Sequence, residues 1–127
     1  MSRVAAICLC LFMAVQPGVA AAALELVMVE QVGCPWCARW NDEIGPIYPR
    51  TDEGEAAPLR RIDIGELPGG MELDGKVVFT PTFLLVDDGR ELGRIEGYPG
   101  EDFFWALLAR LLGETLGATL VPQDRSR

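Results

Sequence analysis

A strand-like run that ends at two closely spaced cysteines most constrains how this chain can fold. Residues 24–32 are apolar and β-branched with few interruptions, which is typical of a buried strand. Gly33 ends the run, and residues 34–37 then read Cys-Pro-Trp-Cys. From Cys37 onward apolar side chains recur at helical spacing, and proline is favoured in a first helical turn. The sequence therefore predicts a strand, a tight turn and a helix that begins at the first cysteine.

The first 23 residues have the pattern of a secretory signal peptide. Arg3 is followed by an apolar stretch over residues 4–15, a Pro-Gly pair at 17–18 and small residues at 20–23. We expect cleavage after Ala20, Ala22 or Ala23. An uncleaved membrane anchor is the alternative, because the uncharged stretch is roughly long enough to span a bilayer, although the Pro-Gly pair would interrupt such a helix.

Export determines which cysteines remain in the mature protein. Cys8 and Cys10 lie inside the apolar stretch and are lost with a cleaved signal. Residues 24–121 then form a single domain, followed by a polar, frayed tail over residues 122–127. We expect this domain in the periplasm, an oxidising compartment in which cysteines tend to be paired.

Charge and histidine content exclude several classes of function. The 127 residues, enough for one domain with a modest core, include 11 Lys and Arg and 19 Asp and Glu. The net charge of −8 argues against nucleic acid as a partner. The chain contains no histidine, so Ser-His and Cys-His catalytic pairs and histidine-ligated metals or haems are excluded. Chemistry must come from cysteine, carboxylates, arginine or the backbone.

The remaining pattern predicts an α/β fold with a mixed four-stranded sheet flanked by helices. The elements follow the order β-α-β, a short helix, then β-β-α. Asp-Asp-Gly at residues 87–89 predicts the hairpin that joins the last two strands. The predicted segments are strands over 24–32, 59–64, 77–86 and 90–97, helices from 34 and from 101, an acidic loop over 49–58, and one short helical turn near Glu66 or Met71.

The last predicted helix has one apolar face. The side chains expected on that face are Phe104, Leu107, Leu108, Leu111 and Thr115. Trp105 points away from this face, and we expect it to be partly buried at the rim, with a docking surface as the alternative.

The two remaining cysteines have the arrangement that thiol–disulfide exchange requires. Unpaired N–H groups and the helix dipole would stabilise Cys34 as a thiolate at the helix start. Cys37, one turn further on, could attack a mixed disulfide formed at Cys34, while Pro35 and Trp36 shape the turn and tune its reduction. A disulfide across three residues closes almost no chain and adds little stability. The alternatives are an inert disulfide or a metal-holding pair, which would need further ligands.

Residues 33–37 after a strand and Thr80-Pro81-Thr82 before the hairpin resemble the thioredoxin superfamily. The resemblance implies that Pro81 is cis and lies against the cysteine pair, and that the backbone beside it pairs with an extended substrate. It therefore places Thr80 and Pro81 in the site. It also implies no cofactor beyond a redox-active Cys34–Cys37 disulfide. Within the superfamily, the layout is similar to exported thioredoxin-like proteins of periplasmic sulfur-oxidation systems.

One departure from the family pattern concerns a buried acid. Where the family has a buried acid six residues before the first cysteine, this chain has Met28. Glu30 has the same strand parity and is our candidate for a proton relay to Cys37. The alternative is that Glu30 is a strand-end carboxylate that faces solvent.

Together these features predict an exported thiol–disulfide oxidoreductase that reduces disulfides of partner proteins. A membrane electron-delivery protein is expected to re-reduce it, and we expect a monomer without metal. A protein with a disulfide or a thiol is the expected substrate. The alternatives are a thiol oxidant or isomerase, and a non-catalytic binding module in which the cysteine pair is structural or holds a metal.

Overall fold

The computed structural model describes residues 24–120, with the side chains of residues 24–117. The predicted signal (1–23) and polar tail (122–127) lie outside these described residues. Strands are β1 (Leu24–Glu30), β2 (Leu59–Asp63), β3 (Thr82–Asp87) and β4 (Arg90–Glu96). Helices are α1 (Pro35–Glu43), α2 (Asp52–Ala56) and α3 (Glu101–Leu120), and 3₁₀ turns cover Tyr48–Arg50 and Ile64–Glu66.

The four strands form one mixed sheet in the order β2-β1-β3-β4. Strand β1 pairs in parallel with β2 and antiparallel with β3, which pairs antiparallel with β4. Because β1 is central, both of its faces are buried, with Leu26 and Met28 on one face and Val27 and Val29 on the other. The predicted α/β fold with a mixed four-stranded sheet is therefore confirmed.

The larger core lies between the sheet and helices α1 and α3. Trp40 of α1 is fully buried at its centre, with ring centroids 5.2 Å from Phe83, 5.7 Å from Phe104 and 6.2 Å from Tyr48. Tilted and edge-to-face packing of this kind adds to the stabilisation from apolar burial. The aromatic cluster fixes α1, and with it the cysteine pair, against the sheet.

The opposite face of the sheet is covered mainly by an irregular segment over residues 64–77. Its apolar side chains pack on the buried residues of the sheet; they are Ile64, Leu67, Met71, Leu73 and Val77. The short helical turn predicted near Glu66 or Met71 occurs at Ile64–Glu66. The buried side chains of helices α1 and α3 therefore share the other face of the sheet.

The prediction of a loop over residues 49–58 is wrong, because α2 forms inside it. Thr51 caps this helix: its hydroxyl accepts a hydrogen bond from the Gly54 N–H over 3.0 Å. The acidic residues that suggested a solvated loop lie in the first turn, where the helix dipole favours negative charge. Tyr48 anchors the segment by donating from its hydroxyl to the Ala57 carbonyl over 2.7 Å.

The prediction of a strand over residues 77–86 is wrong at its start, because β3 begins only at Thr82. Pro81 has no N–H to donate to a ladder, and its peptide bond with Thr80 is cis. The preceding residues therefore leave the sheet, and Val78 and Phe79 are exposed.

The apolar face of α3 also differs in part from its prediction. Phe104, Leu108 and Leu112 are buried at a four-residue spacing, whereas Leu107 is exposed. Trp105 packs at the rim of the core, with its ring stacked 6.1 Å from that of Tyr48, as the sequence predicted. Within residues 24–120, no helix is both long enough and apolar enough to cross a membrane.

Candidate active site

The first cysteine caps the helix that carries the second. Gly33 turns the chain with φ of +80°, a value that glycine adopts readily, and Cys34 is the extended N-cap residue of α1. Pro35 occupies the first helical position, where a missing N–H costs nothing. Strand, glycine turn and proline therefore place the Cys34 side chain at the positive end of α1.

Cys34 and Cys37 form a disulfide, and their Cα atoms are 5.3 Å apart. Cys34 is partly exposed, whereas Cys37 is only 3% exposed. The backbone N–H of Cys37 donates a hydrogen bond to the Cys34 Sγ over 3.1 Å. The accessible sulfur therefore receives both a direct donor and the field of the helix terminus, two features that favour a thiolate after reduction.

A loop that contains the cis Thr80–Pro81 bond lies against the cysteine pair. The Cys34 Sγ is 3.4 Å from the Thr80 carbonyl oxygen, and the Pro81 carbonyl accepts a hydrogen bond from the Gly97 N–H over 2.7 Å. Thr82 fixes the loop from the other side, since its hydroxyl donates to the Phe79 carbonyl over 2.7 Å. The structure thus brings together two sequence-predicted segments from distant parts of the chain.

An open groove of about 350 Å³ adjoins this loop. It is lined by Trp36, Phe79, Thr80, Glu96 and Gly97. Two of these side chains are large, apolar and exposed: Trp36 at 52% and Phe79 at 58%. Trp36 was predicted as a site residue, but Phe79, Glu96 and Gly97 were missed. The predicted strand over residues 77–86 would have placed Phe79 in the sheet. Its position directly before Thr80-Pro81 was the sequence signal that it belongs to the site.

Glu30, the candidate proton relay, lies at the end of β1. Its carboxylate Oε2 accepts from the Arg61 Nη1 over 2.9 Å, and the two side chains are 28% and 40% exposed. The Arg61 guanidinium also lies 5.8 Å from the centroid of the Trp40 ring. Met28, at the position of the family acid, is fully buried. Glu30 therefore lies in an ion pair at the margin of the core.

The described side chains provide no cluster of three or more cysteine, aspartate or glutamate residues that could hold a metal ion. What the geometry provides instead is one accessible sulfur, one buried sulfur and a groove with an apolar wall. This arrangement suits a reaction in which an extended polypeptide binds beside a disulfide that opens and closes.

No protein-family model and no curated protein matches the chain. Among solved structures, it is similar to the periplasmic thioredoxin SoxS from Paracoccus pantotrophus, determined in its reduced form. The two sequences are 58% identical over 72% of this chain and 98% of SoxS, and the TM-score is 0.70. Identity at this level over nearly the whole of SoxS shows that the two chains belong to one family. The chain therefore belongs to the thioredoxin superfamily and is a thiol–disulfide oxidoreductase.

Proposed function

We propose that this protein is exported to the periplasm and reduces disulfides of partner proteins, with Cys34 as nucleophile and Cys37 as resolving thiol. The observation that carries the proposal is the asymmetry of the pair. Cys34 is accessible and accepts a hydrogen bond from the Cys37 N–H, while the Cys37 sulfur is buried behind it. Only the exposed sulfur can meet a bulky disulfide, and only the buried one is protected from it.

The reaction proceeds in two exchanges. The Cys34 thiolate attacks one sulfur of the partner disulfide, forming a mixed disulfide and releasing the partner's other sulfur as a thiolate that takes up a proton. The Cys37 thiol then loses its proton and attacks the Cys34 sulfur. The bond between Cys34 and the partner breaks, and the partner's second sulfur leaves as a thiolate that takes up a proton. The partner has gained two electrons and two protons, and Cys34–Cys37 is oxidised.

The residues around the pair have distinct roles in this proposal. Pro35 and Trp36 shape the turn between the cysteines, and Thr80 and Pro81 present backbone to an extended substrate segment in the groove. Glu30 remains our candidate for exchanging the Cys37 proton, through its position at the end of β1 on the side of Met28. No prosthetic group is needed, since the disulfide carries the electrons.

The N-terminal sequence and the similarity to SoxS support the proposed location. Residues 1–23 have a signal-peptide pattern, and SoxS is a periplasmic thioredoxin. We propose the same compartment, a role among periplasmic sulfur-oxidation proteins, a monomeric state, and re-reduction by an electron-delivery protein of the membrane. Intact mass of the protein isolated from the periplasm tests removal of the signal, and light scattering tests the monomer.

Trapping of partners is the decisive experiment. With Cys37→Ser, the mixed disulfide at Cys34 cannot be resolved, so partners should accumulate as adducts that reductant releases. The matched control is Cys34→Ser, which should capture none. Recovery of no adduct during active growth would contradict exchange with protein partners and would favour the binding-module alternative.

The direction of electron flow is tested by the reduction potential. A reductant requires a potential near or below that of the glutathione pool, about −200 mV or lower. A value well above this range would instead identify a thiol oxidant, the main alternative within the same chemistry.

A further inference from the structure

Arg39 lies between two aromatic rings beside the active site. Its guanidinium carbon is 5.9 Å from the ring centroid of Trp36 and 5.8 Å from that of Tyr98. Cations at this distance from an aromatic ring are attracted to it electrostatically. One side chain of α1 thus joins the exposed tryptophan of the cysteine turn to the segment that follows β4.

Glu43 completes a connection between these two segments. Its Oε1 accepts from the Arg39 Nε–H over 2.8 Å, and its Oε2 accepts from the Tyr98 hydroxyl over 2.5 Å. The hydrogen bond from Tyr98, and then that from Arg39, hold the pKa of Glu43 below its usual value. The carboxylate is therefore ionised at neutral pH and links helix to loop.

Tyr98 extends the connection to a second residue of the groove lining. It is buried, and its ring lies 6.1 Å from Phe104 of the core. Its neighbour Gly97 lines the groove and donates its N–H to the Pro81 carbonyl. Trp36 and Gly97, which both line the groove, are therefore both connected to Glu43, Trp36 through Arg39 and Gly97 through its neighbour Tyr98.

We propose that Arg39, Glu43 and Tyr98 form a positioning network that holds two residues of the groove lining, Trp36 and Gly97, in the arrangement that protein disulfides require. The hydrogen bonds and cation–π contacts that define the network involve neither Cys34 nor Cys37. Its action is on the binding of a polypeptide around the disulfide, and small disulfides, which reach Cys34 without filling the groove, depend on it less. The inference rests on the proposed function, since it assigns the groove to protein substrates.

The kinetic test compares Arg39→Gln with Arg110→Gln. Arg110 forms an ion pair with Glu114 on α3 at the same four-residue spacing and at 2.9 Å, so its loss controls for a missing helix ion pair. Prereduced protein is mixed in single turnover with insulin and, separately, with dithiodipyridine. In Arg39→Gln we expect a half-saturating insulin concentration about threefold higher, the size expected for loss of the exposed cation–π contact with Trp36, and little change with dithiodipyridine.

A control variant and a second network variant test whether the effect is specific to the network. Arg110→Gln should match the wild type with both substrates. Tyr98→Phe should resemble Arg39→Gln, because it removes the hydroxyl that donates a hydrogen bond to Glu43. An unchanged insulin concentration dependence in Arg39→Gln would overturn the proposal. So would an equal loss with both substrates, since that would place the effect on thiol chemistry rather than on the groove.

An independent readout comes from the order of the Trp36 ring. The indole ¹⁵N–¹H signals are assigned with Trp36→Phe, and their heteronuclear NOE is measured in each variant. We expect the NOE of Trp36 to fall in Arg39→Gln and to stay unchanged in Arg110→Gln. An unchanged NOE in Arg39→Gln would contradict the network. This measurement needs no turnover. If the wild type reduced no protein disulfide, the proposed function would be overturned, and the NOE would still decide whether the network orders Trp36.

Discussion

The backbone N–H of Cys37 points at the sulfur of Cys34 over 3.1 Å, so the buried residue of the pair supports the exposed one. Cys34 is the N-cap of α1, and a sulfur at this position takes the place of the side-chain oxygen that usually caps a helix. The atom that caps the helix is thus also the reactive atom, the Cys34 Sγ. Stability of the helix start and reactivity of the site cannot be varied independently here.

The first prediction concerns the reactivity of the two thiols. In the reduced protein, iodoacetamide should label Cys34 at least about tenfold faster than Cys37, because only Cys34 is both accessible and stabilised as a thiolate. Peptide mapping by mass spectrometry after timed quenching gives both rates. The labelling rate of Cys37 in Cys34→Ser is the control for the accessibility of Cys37 itself. Similar labelling rates for Cys34 and Cys37 in the wild type would contradict the assigned roles.

The second prediction concerns the apolar wall of the groove. Phe79→Ala should raise the half-saturating concentration of a protein disulfide about tenfold, as for loss of an aromatic contact at an interface. Because Phe79 is 58% exposed, the free energy of unfolding should change by less than about 0.5 kcal/mol. Phe103→Ala, an exposed phenylalanine on α3, is the matched control and should leave the kinetics unchanged.

The third prediction concerns stability in acid. Burial of Glu91 opposes its ionisation, but hydrogen bonds from Arg94 and from the Asp74 N–H outweigh burial and hold the pKa of Glu91 below its usual value. A lowered pKa in the folded state stabilises the protein above the usual glutamate value. That contribution is lost as the pH falls from about 4.3 through the folded pKa.

Glu91→Gln tests this contribution. We expect it to lower the free energy of unfolding at pH 7 by about 2 kcal/mol, because it breaks hydrogen bonds to a buried charge and leaves Arg94 partly unpaired. It should also flatten the acid limb of the stability curve, measured by urea unfolding between pH 3 and 7. An acid limb as steep as in the wild type would assign the acid sensitivity to other carboxylates.

The fourth prediction concerns the proton of Cys37. If Glu30 accepts it during resolution, Glu30→Gln should slow release of the partner from the Cys34 mixed disulfide about tenfold or more near neutral pH. Quenched-flow analysis of a preformed mixed disulfide measures this step. Arg61→Gln leaves the carboxylate in place and breaks only the ion pair, so it separates a relay from a structural role. An unchanged rate in Glu30→Gln would assign the proton to solvent.

Much of the fold followed from local patterns in the sequence. The alternation and apolar runs predicted all four strands, and the Cys-Pro start predicted α1, because periodicity and capping act over a few residues. The predictions for two segments were wrong for the same reason: each rested on the composition of the segment and neglected one neighbouring residue. The acidic residues after Thr51 suggested a loop, although Thr51 itself is a good helix cap, and the apolar residues before Pro81 suggested a strand, although proline cannot extend the ladder.

The sequence by itself determined the chemistry: two cysteines at a helix start and no histidine to assist them. Its resemblance to the thioredoxin superfamily added a proline expected to lie against them. Only the tertiary structure decided which sulfur is accessible and what surrounds it. Phe79 and Gly97 join Trp36 in the groove because the sheet register and the turn at Pro81 bring distant segments together. Sequence patterns report forces between near neighbours along the chain, whereas a substrate groove is made of surfaces that only the packed fold places side by side.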